Sequence, residues 1–169
     1  LETHMGSLCD TARSALKIIK LIENPKIKIN WDPGNMYATE GAEKTEEAFQ
    51  MIKDYIGHMH IKNCKKIAGQ YVWSFSVEDG DLDYNKIFSM LKSIKYSGLL
   101  SIEYSGLGDP NVIARKDIKY VKESWEESFY PMSAPVRSHG RLIVTNDGNE
   151  GQSVFYDPFS KTALLINID

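Results

Sequence analysis

The stretch IGHMHIKN, residues 56–63, places two of the chain's only four histidines one residue apart. A segment with the spacing of an amphipathic helix precedes it, so this stretch is a candidate β-strand. Alternate side chains of a strand share a face, and His58, His60 and Lys62 would therefore point the same way. A single metal ion or substrate could then contact more than one of these side chains.

Polar side chains also stand where the other predicted strands end. Glu2 and His4 follow the first strand, Asp32 and Asn35 follow the second, and Glu103 lies on the fourth. Active residues of parallel α/β folds gather at the carboxyl ends of strands. Carboxylates that converge there repel one another unless a cation neutralises them. Three carboxylates with one imidazole suit Mn²⁺, Mg²⁺ or Co²⁺ better than a structural zinc site, which prefers thiolate and imidazole.

Each of these residues also has a purely structural explanation. Asp32 precedes Pro-Gly and could simply form a turn, His60 could be a hydrogen-bonded core histidine, and Glu2 could be an exposed acid. Glu103 favours a functional site most strongly, because a charge on a buried parallel strand is costly unless it is paired or coordinated.

The elements that must position these side chains alternate along the chain. Apolar spacing predicts four helices. Asp10 or Thr11 is the expected N-cap of the first helix, whose inward residues include Ile22, and Asp83 is the expected N-cap of the third. We expect a Pro-Gly turn after Asp32, a helix break at Gly57, and a long loop over 63–82 with an apolar, largely aromatic patch at 71–75. The predicted helices are 10–23, 44–56, 84–95 and 113–129, and the predicted strands are one ending at Glu2, then 26–31, 58–62 and 98–104.

This alternation predicts an α/β fold of parallel βαβ units. Four such units make about half of an eight-stranded (β/α)8 TIM barrel. We assign residues 1–130 to this barrel-like domain, without the amino-terminal half. Residues 131–169 are predicted to be a linker and a β-rich extension with runs at 141–145, 153–156 and 163–168, as in the start of a second domain. An open four-stranded sheet would expose two edges, which predicts aggregation, dimerisation or a longer chain.

Composition narrows the classes of partner and compartment. The chain has 169 residues, a net charge of −3 and no long basic run, which disfavours nucleic acid. No apolar run approaches the roughly 18–20 residues that cross a bilayer, so we expect no membrane partner. Cys9 and Cys64 have no CxxC spacing and indicate reduced thiols in the cytoplasm. Because the chain begins LETH rather than with Met, we expect further sequence upstream.

Four segments together resemble the sugar isomerase/epimerase barrels of the xylose-isomerase-like superfamily. LETH resembles the Glu-x-His element after the fifth strand of that family, NWDPGN its sixth-strand motif, and HMHIKN its seventh-strand H-x-H-x-K-D element with Asn63 in place of Asp. DGDLDYNKIFSMLKSIKYSGLLSIEY is similar to the stretch that leads into the eighth strand. The resemblance covers 1–104 well and 105–130 loosely as the closing helix, and it implies the carboxy-terminal half of the barrel.

The resemblance assigns roles to the candidate residues. It implies the metal ligands Glu2, Asp32, His60 and Glu103, with Glu2 and Glu103 also acting as catalytic acid and base. It implies that the substrate-binding residues are His4, Asn35, His58, Lys62 and Lys66.

The resemblance also implies a reaction. We expect a divalent-metal-dependent sugar or polyol isomerase or epimerase that removes a proton next to a carbonyl through a metal-stabilised enediolate. Mn²⁺ is the first candidate metal, with Mg²⁺, Co²⁺ or Zn²⁺ as the others. The expected partners are a small sugar or polyol and further copies of the chain in a homo-oligomer. The alternatives are an inosose-type dehydratase on the same scaffold, an endonuclease of the related DNA-repair branch, and a non-catalytic half-barrel fragment or assembly module.

Overall fold

A parallel sheet with helices on one face carries the candidate residues. We analysed a computed structural model, and the structure describes residues 1–73, 76–104, 109–127, 142–146, 152–157 and 162–167. The parallel strands are β1 (Ile29–Trp31), β2 (Ile56–Ile61) and β5 (Leu99–Tyr104), and Glu2 joins them through a parallel bridge to Asn30. The strand pairs β1–β2 and β2–β5 are both parallel, which confirms the predicted βαβ order of a partial TIM barrel.

In the part of the chain that the structure describes, five α-helices connect or flank these strands. They are α1 (Ala12–Ile22), α2 (Pro33–Tyr37), α3 (Thr45–Ile52), α4 (Tyr84–Ser93) and α5 (Pro110–Glu127). Of the two predicted alternatives for the start of α1, Thr11 is the residue that caps it, and Asp83 caps α4 as predicted.

The two faces of the sheet differ in chemistry because side chains alternate along each strand. One face packs against the helices and carries the fully buried Trp31, Met59, Ile61 and Ile102. Phe49 of α3 and Phe88 of α4 belong to the same core. The other face carries the polar residues of the candidate site, so burial of the apolar face fixes where the polar face points.

Several predicted boundaries are wrong for identifiable reasons. The predicted Pro-Gly turn is instead the first turn of α2, because Asp32 caps it. Gly57 lies inside β2 rather than ending a helix. A Cβ at this position would approach the Lys28 side chain to 2.5 Å, so the strand needs glycine there. Strand β1 is shorter than predicted, and Ile22, predicted to face inward on α1, is 43% exposed.

The predicted loop over 63–82 contains two strands and a 3-10 turn. A two-stranded antiparallel hairpin is formed by β3 (Lys65–Ile67) and β4 (Gln70–Val72), and Val77–Asp79 form the 3-10 turn. Ala68 and Gly69 both have positive φ at the hairpin turn. The loop prediction was therefore wrong, although part of the aromatic stretch predicted within it, at 74–75, lies outside the described residues.

The three predicted β-rich runs of the tail are strands β6 (Leu142–Asn146), β7 (Gln152–Asp157) and β8 (Thr162–Asn167). They form an antiparallel meander. In addition, β6 pairs in parallel with β5, so the prediction of an open edge at β5 was wrong because this strand supplies backbone partners. The predicted linker at 131–140 lies outside the described residues, and the division into two domains stays a prediction. Within the described part of the chain, no helix has both the length and the apolar character of a membrane span.

Candidate metal centre

Four side chains from four successive strand ends meet on the polar face. Glu2, Asp32, His60 and Glu103 each offer one ligand atom, and these atoms all lie within 4.8 Å of one another. The predicted convergence of these residues is therefore confirmed, and it follows from parallel strands that end at the same edge of the sheet. Their roles as ligands remain to be argued from the geometry.

His60 lies at the centre of this cluster. Its Nδ1 is 3.0 Å from Glu103 Oε1, 3.2 Å from Glu2 Oε1 and 3.9 Å from Asp32 Oδ2. Burial alone would lower the pKa of this imidazole, but the nearby Glu2 carboxylate and the other negative charges raise it overall. Despite the short distances, buried Nδ1 has no partner aligned for a hydrogen bond. A positive charge in front of this nitrogen is therefore favoured.

Asp32 is the most deeply buried carboxylate of the cluster, with no exposed surface. The backbone N–H of Asn35 donates to its Oδ1 at 2.8 Å, and the Asn35 amide donates to its Oδ2 at 2.6 Å. Its own N–H donates to Thr3 Oγ1 at 2.7 Å. Burial raises the pKa of Asp32 to about 7 despite these hydrogen bonds, since desolvation disfavours the charged form.

The two glutamates of the cluster differ in exposure. The Glu2 side chain is 34% exposed, and its close contact with the His60 imidazole lowers its pKa although burial opposes the shift. The Glu103 side chain is 9% exposed and pairs through Oε2 with Lys62 Nζ at 3.1 Å. Lys62 Nζ also lies 5.2 Å from the centre of the Trp73 ring, a favourable cation–π distance. Glu103 thus has one oxygen on the cluster and one on an ammonium group.

These residues fit a divalent cation. Three carboxylates converge on a space that holds one imidazole, and Lys62 pairs with Oε2 of Glu103, the oxygen that is not the one nearest His60. Like charges this close favour protonation or a cation. The pKa of Asp32 is raised mainly by burial, and the nearby Glu103 charge adds to that shift. The unpartnered Nδ1 of His60 supplies a nitrogen ligand. An O₃N donor set is typical of Mg²⁺, Mn²⁺ and related ions rather than of structural zinc.

The predicted substrate-binding residues divide into two groups. Asn35, His58 and Lys62 lie at or next to the cluster: Asn35 holds Asp32, Lys62 holds Glu103, and the His58 ring packs edge-on against His60 with centroids 5.4 Å apart. His4 is exposed and its Nδ1 lies 2.9 Å from the carbonyl oxygen of Met5. Lys66 is exposed, and its ammonium lies over the ring of Tyr71. The structure therefore does not bring His4 or Lys66 into the cluster.

Asn63 stands where the resembling motif has Asp, and its hydrogen bonds explain the difference. Its amide nitrogen donates to the carbonyl oxygens of Val77 (2.7 Å) and Leu82 (3.0 Å), and its oxygen accepts from the N–H groups of Cys64 and Leu82. A carboxylate could accept but not donate these bonds. Asn63 therefore anchors the segment that leads into α4 rather than joining the cluster.

The sequence did not reveal two residues that contact the histidines. Asn30 Nδ2 lies 2.9 Å from His60 Nε2, and Ser101 Oγ lies 2.7 Å from His58 Nε2. The alternation of side chains contained the signal, because Asn30 and Ser101 are polar residues between apolar neighbours on strands β1 and β5. Both residues lie inside their strands, whereas the prediction of functional residues considered the carboxyl ends of strands.

Curated relatives with similar sequences are dehydratases. Inosose dehydratase from Clostridium perfringens is 26% identical over 140 residues, which is 71% of this chain and 46% of the relative. Inosose dehydratase from Glaesserella parasuis is 26% identical over 143 residues, which is 73% of this chain and 47% of the relative. 3-Dehydroshikimate dehydratase from Bacillus anthracis is 35% identical over 63 residues, or 37% of this chain and 22% of the relative. The chain thus spans about half the length of the inosose dehydratases it matches.

The prediction of an isomerase was wrong in the light of these relatives, because the enzymes named among them remove water instead of moving a proton between carbons. The motifs could not reveal this difference, since proton removal beside a carbonyl begins all of these reactions. The alternative of an inosose-type dehydratase agrees better with the relatives.

Solved structures share the fold. A xylose isomerase domain protein from Planctomyces limnophilus superposes with a TM-score of 0.60 and 21% identity, over 75% of this chain and 44% of that one. A probable 3-DHS dehydratase of petrobactin synthesis from Bacillus anthracis gives a TM-score of 0.59 with 24% identity, over 72% and 48% of the two chains. The family model for the xylose isomerase-like TIM barrel matches residues 1–124. With its strand order and its cluster at the strand ends, the chain belongs to the xylose isomerase-like TIM-barrel family.

Proposed function

We propose that the protein is a divalent-metal-dependent dehydratase acting on a cyclic hydroxy-ketone of the inosose or 3-dehydroshikimate kind. The observation that carries the proposal is the cluster of Glu2, Asp32, His60 and Glu103, whose ligand atoms lie within 4.8 Å of one another. The names of the relatives, inosose dehydratase and 3-dehydroshikimate dehydratase, support the reaction class.

The reaction needs a base and an acid close to the same two carbons. A base removes the proton from the carbon next to the carbonyl, the electron pair forms a carbon–carbon double bond, and the hydroxyl on the neighbouring carbon leaves with a proton as water. Glu2 and Glu103 each place a carboxylate oxygen close to His60, at 3.2 and 3.0 Å from its Nδ1. We assign the base and acid roles to this pair.

The environments of the two carboxylates differ in a way that suits two roles. Glu2 is one-third exposed and its pKa is lowered, so it stays ionised and can return a captured proton to water. Glu103 is nearly buried against Lys62, and this ion pair holds its second oxygen in place. We therefore propose Glu2 as the base and the Glu103–Lys62 pair as the group that delivers a proton to the departing hydroxyl.

A divalent cation held by the cluster would polarise the substrate carbonyl as a Lewis acid. Mn²⁺ is the ion we propose, because a set of three carboxylate oxygens and one imidazole accommodates it. Asp32 is fixed by Asn35 and His60 by the strands on either side, so the chain presents these ligands in a fixed geometry.

The proposal is tested by incubating the protein and Mn²⁺ with inososes, 3-dehydroshikimate and open-chain ketoses. The ultraviolet absorbance of the conjugated product reports dehydration. We expect turnover of a cyclic ketone, and a loss of about 10²–10⁴-fold in Glu103→Gln, the usual contribution of a positioned acid or base. Glu123→Gln is the matched control, since Glu123 is exposed on α5 and pairs only with Lys119 in the described contacts.

Unchanged turnover in Glu103→Gln would remove this residue from the chemistry. If a metal-loaded protein leaves every cyclic ketone intact and dehydrates nothing, the proposed reaction is wrong even though the metal centre stands.

A further inference from the structure

We propose that Asn30 is a positioning residue that fixes the ring proton of His60 on Nε2, so that Nδ1 is free to bind the metal ion. The inference rests on the proposed metal centre. It concerns Asn30 of β1, which is not one of the proposed ligands. Asn30 lies on the polar face of its strand, two residues before Asp32, and its amide lies 2.9 Å from His60 Nε2.

The first step of the argument is the geometry of the imidazole. Nδ1 is the nitrogen that points at the carboxylates of Glu2 and Glu103, at 3.2 and 3.0 Å. A neutral imidazole carries its proton on one nitrogen only, and a metal binds the other. If Nδ1 is to be a ligand, the proton must therefore be on Nε2, where Asn30 is its hydrogen-bond partner.

The second step is the chemistry of the amide. Asn30 can present either its nitrogen or its oxygen to Nε2, because the two ends differ by a half-turn of the side chain. With the nitrogen toward Nε2, the amide donates and the ring proton lies on Nδ1, facing the carboxylates. With the oxygen toward Nε2, the amide accepts the Nε2–H and leaves the Nδ1 lone pair free. Each orientation thus corresponds to one state of the ring.

The third step is the unpartnered atom. The structure has the amide nitrogen toward Nε2, and Oδ1 of Asn30 is buried with no hydrogen-bond partner. A buried carbonyl oxygen without a partner costs free energy. A half-turn of the amide would give this oxygen a donor and remove that cost. Nε2–H is the donor that Oδ1 meets after the half-turn, and that proton is present on Nε2 when a metal occupies Nδ1.

A neighbouring histidine shows that this contact is specific to the ligand. His58 lies two residues before His60 on the same face, but its Nε2 lies 2.7 Å from the Ser101 hydroxyl. A hydroxyl donates or accepts by rotating its hydrogen and holds His58 in either tautomer. His60 alone of the pair faces the carboxylates and has the amide of Asn30 behind it. We infer that Asn30 orients the ligand in the way that outer partners of metal-bound histidines generally do.

The test compares Mn²⁺ dissociation constants measured by calorimetry without substrate. Asn30→Leu removes the acceptor and should weaken binding by about 10–100-fold, the usual effect of losing such a partner. Asn30→Asp keeps an acceptor at the same distance and should bind Mn²⁺ no more weakly than the wild type. Ser101→Ala is the matched control, because it removes the equivalent hydrogen bond of His58, and it should leave the dissociation constant unchanged.

A spectroscopic readout separates positioning from packing. In wild-type protein labelled with ¹⁵N-histidine and loaded with diamagnetic Mg²⁺, we expect a slowly exchanging proton on Nε2 of His60. This proton should persist in Ser101→Ala and Asn30→Asp, and should exchange rapidly in Asn30→Leu. The wild-type spectrum is informative even if Asn30→Leu does not fold.

Three results would overturn the inference. These are a proton on Nδ1 of His60 in the loaded wild type, wild-type affinity in a folded Asn30→Leu, and an Asn30→Asp variant as weak as Asn30→Leu. A wild-type chain that binds no divalent cation would overturn the metal centre together with this inference. Normal metal binding without dehydratase turnover would leave the inference standing and reject only the proposed reaction.

Discussion

Two histidines on one face of one strand have opposite surroundings. His58 lies beside the Ser101 hydroxyl, and burial lowers the pKa of its imidazole. His60, two residues later, faces three carboxylates that raise its pKa despite burial. We call His58 the inner position and His60, nearer the strand end, the outer position. A neutral hydrogen bond satisfies the imidazole at the inner position, whereas the carboxylates at the outer position favour a positive charge. The difference indicates that the place of a histidine along the strand decides whether its imidazole meets the carboxylates and can serve as a metal ligand.

The largest effect that separates the two positions is on metal affinity. His60→Gln should weaken Mn²⁺ binding by more than about 100-fold, because loss of a ligand exceeds the 10–100-fold loss that follows removal of an outer partner. His58→Gln should change the affinity only a few-fold. Electron paramagnetic resonance of free Mn²⁺ measures both constants. Equal losses in the two variants would abolish the distinction between inner and outer position.

The second effect is the pH dependence of metal binding. Asp32 has a pKa of about 7 without metal, so binding below pH 7 must displace its proton. The dissociation constant should fall about tenfold per pH unit between pH 5 and 7 and level off above that range. The raised pKa of His60 steepens this slope.

Calorimetry in buffers of different ionisation enthalpy measures the protons released. The slope should persist in His58→Gln, whose altered position lies outside the cluster. An affinity that is flat between pH 5 and 7 would contradict the protonated state of Asp32.

The third effect concerns stability without metal. The folded pKa of Asp32, about 7, lies above its ordinary value of 3.8. Its contribution to stability is therefore fully present below about pH 4 and is lost as the pH rises through 7. Asp32→Asn should raise the melting temperature of the metal-free protein by several degrees at pH 8 and by much less at pH 4. The physical reason is that a buried charge without a cation is replaced by a neutral amide.

Melting curves in the presence of a chelator measure this difference, and excess Mn²⁺ should reverse it, since only the wild type then gains a bound ion. A wild-type protein that is the more stable of the two at pH 8 without metal would contradict this explanation.

The smallest effect belongs to the inner position. Ser101→Ala removes one neutral hydrogen bond and should lower the free energy of unfolding by about 0.5–1.5 kcal/mol. It should leave the pH dependence of metal binding unchanged. Chemical denaturation measures the stability change, and a loss of metal affinity in this variant would show that the two positions are coupled.

The sequence predicts the ends of the parallel strands better than it predicts the segments that connect them. The strand ends at Asp32 and Glu103 could be predicted, because apolar alternation around a polar residue is a local pattern. Glu2 has no such pattern before it and joins the sheet through a single bridge to Asn30. The hairpin of β3 and β4 could not, since its strands have only three residues each and carry little periodicity. The need for glycine at position 57 of β2 comes from the Lys28 side chain of a neighbouring segment. No local sequence pattern reveals such a contact.

The candidate site shows the same division. Strand ends predicted a list of candidate polar residues, and the family resemblance selected the four that converge. The distances that make one cluster come from the register of parallel strands. Asn30 was missed because its importance arises from a contact with His60, thirty positions away in sequence. The reaction class could not be predicted from these residues either, because the same proton removal begins both isomerisation and dehydration.

The central claim is that one divalent cation joins side chains from four successive strand ends. A crystal of the protein soaked in Mn²⁺, with anomalous scattering recorded at the manganese edge, tests it most directly. We predict one strong peak lying about 2.0–2.3 Å, the usual range for such ligands, from one atom each of Glu2, Asp32, His60 and Glu103. A peak that contacts fewer than three of these residues, or no peak at full Mn²⁺ saturation, would contradict the account.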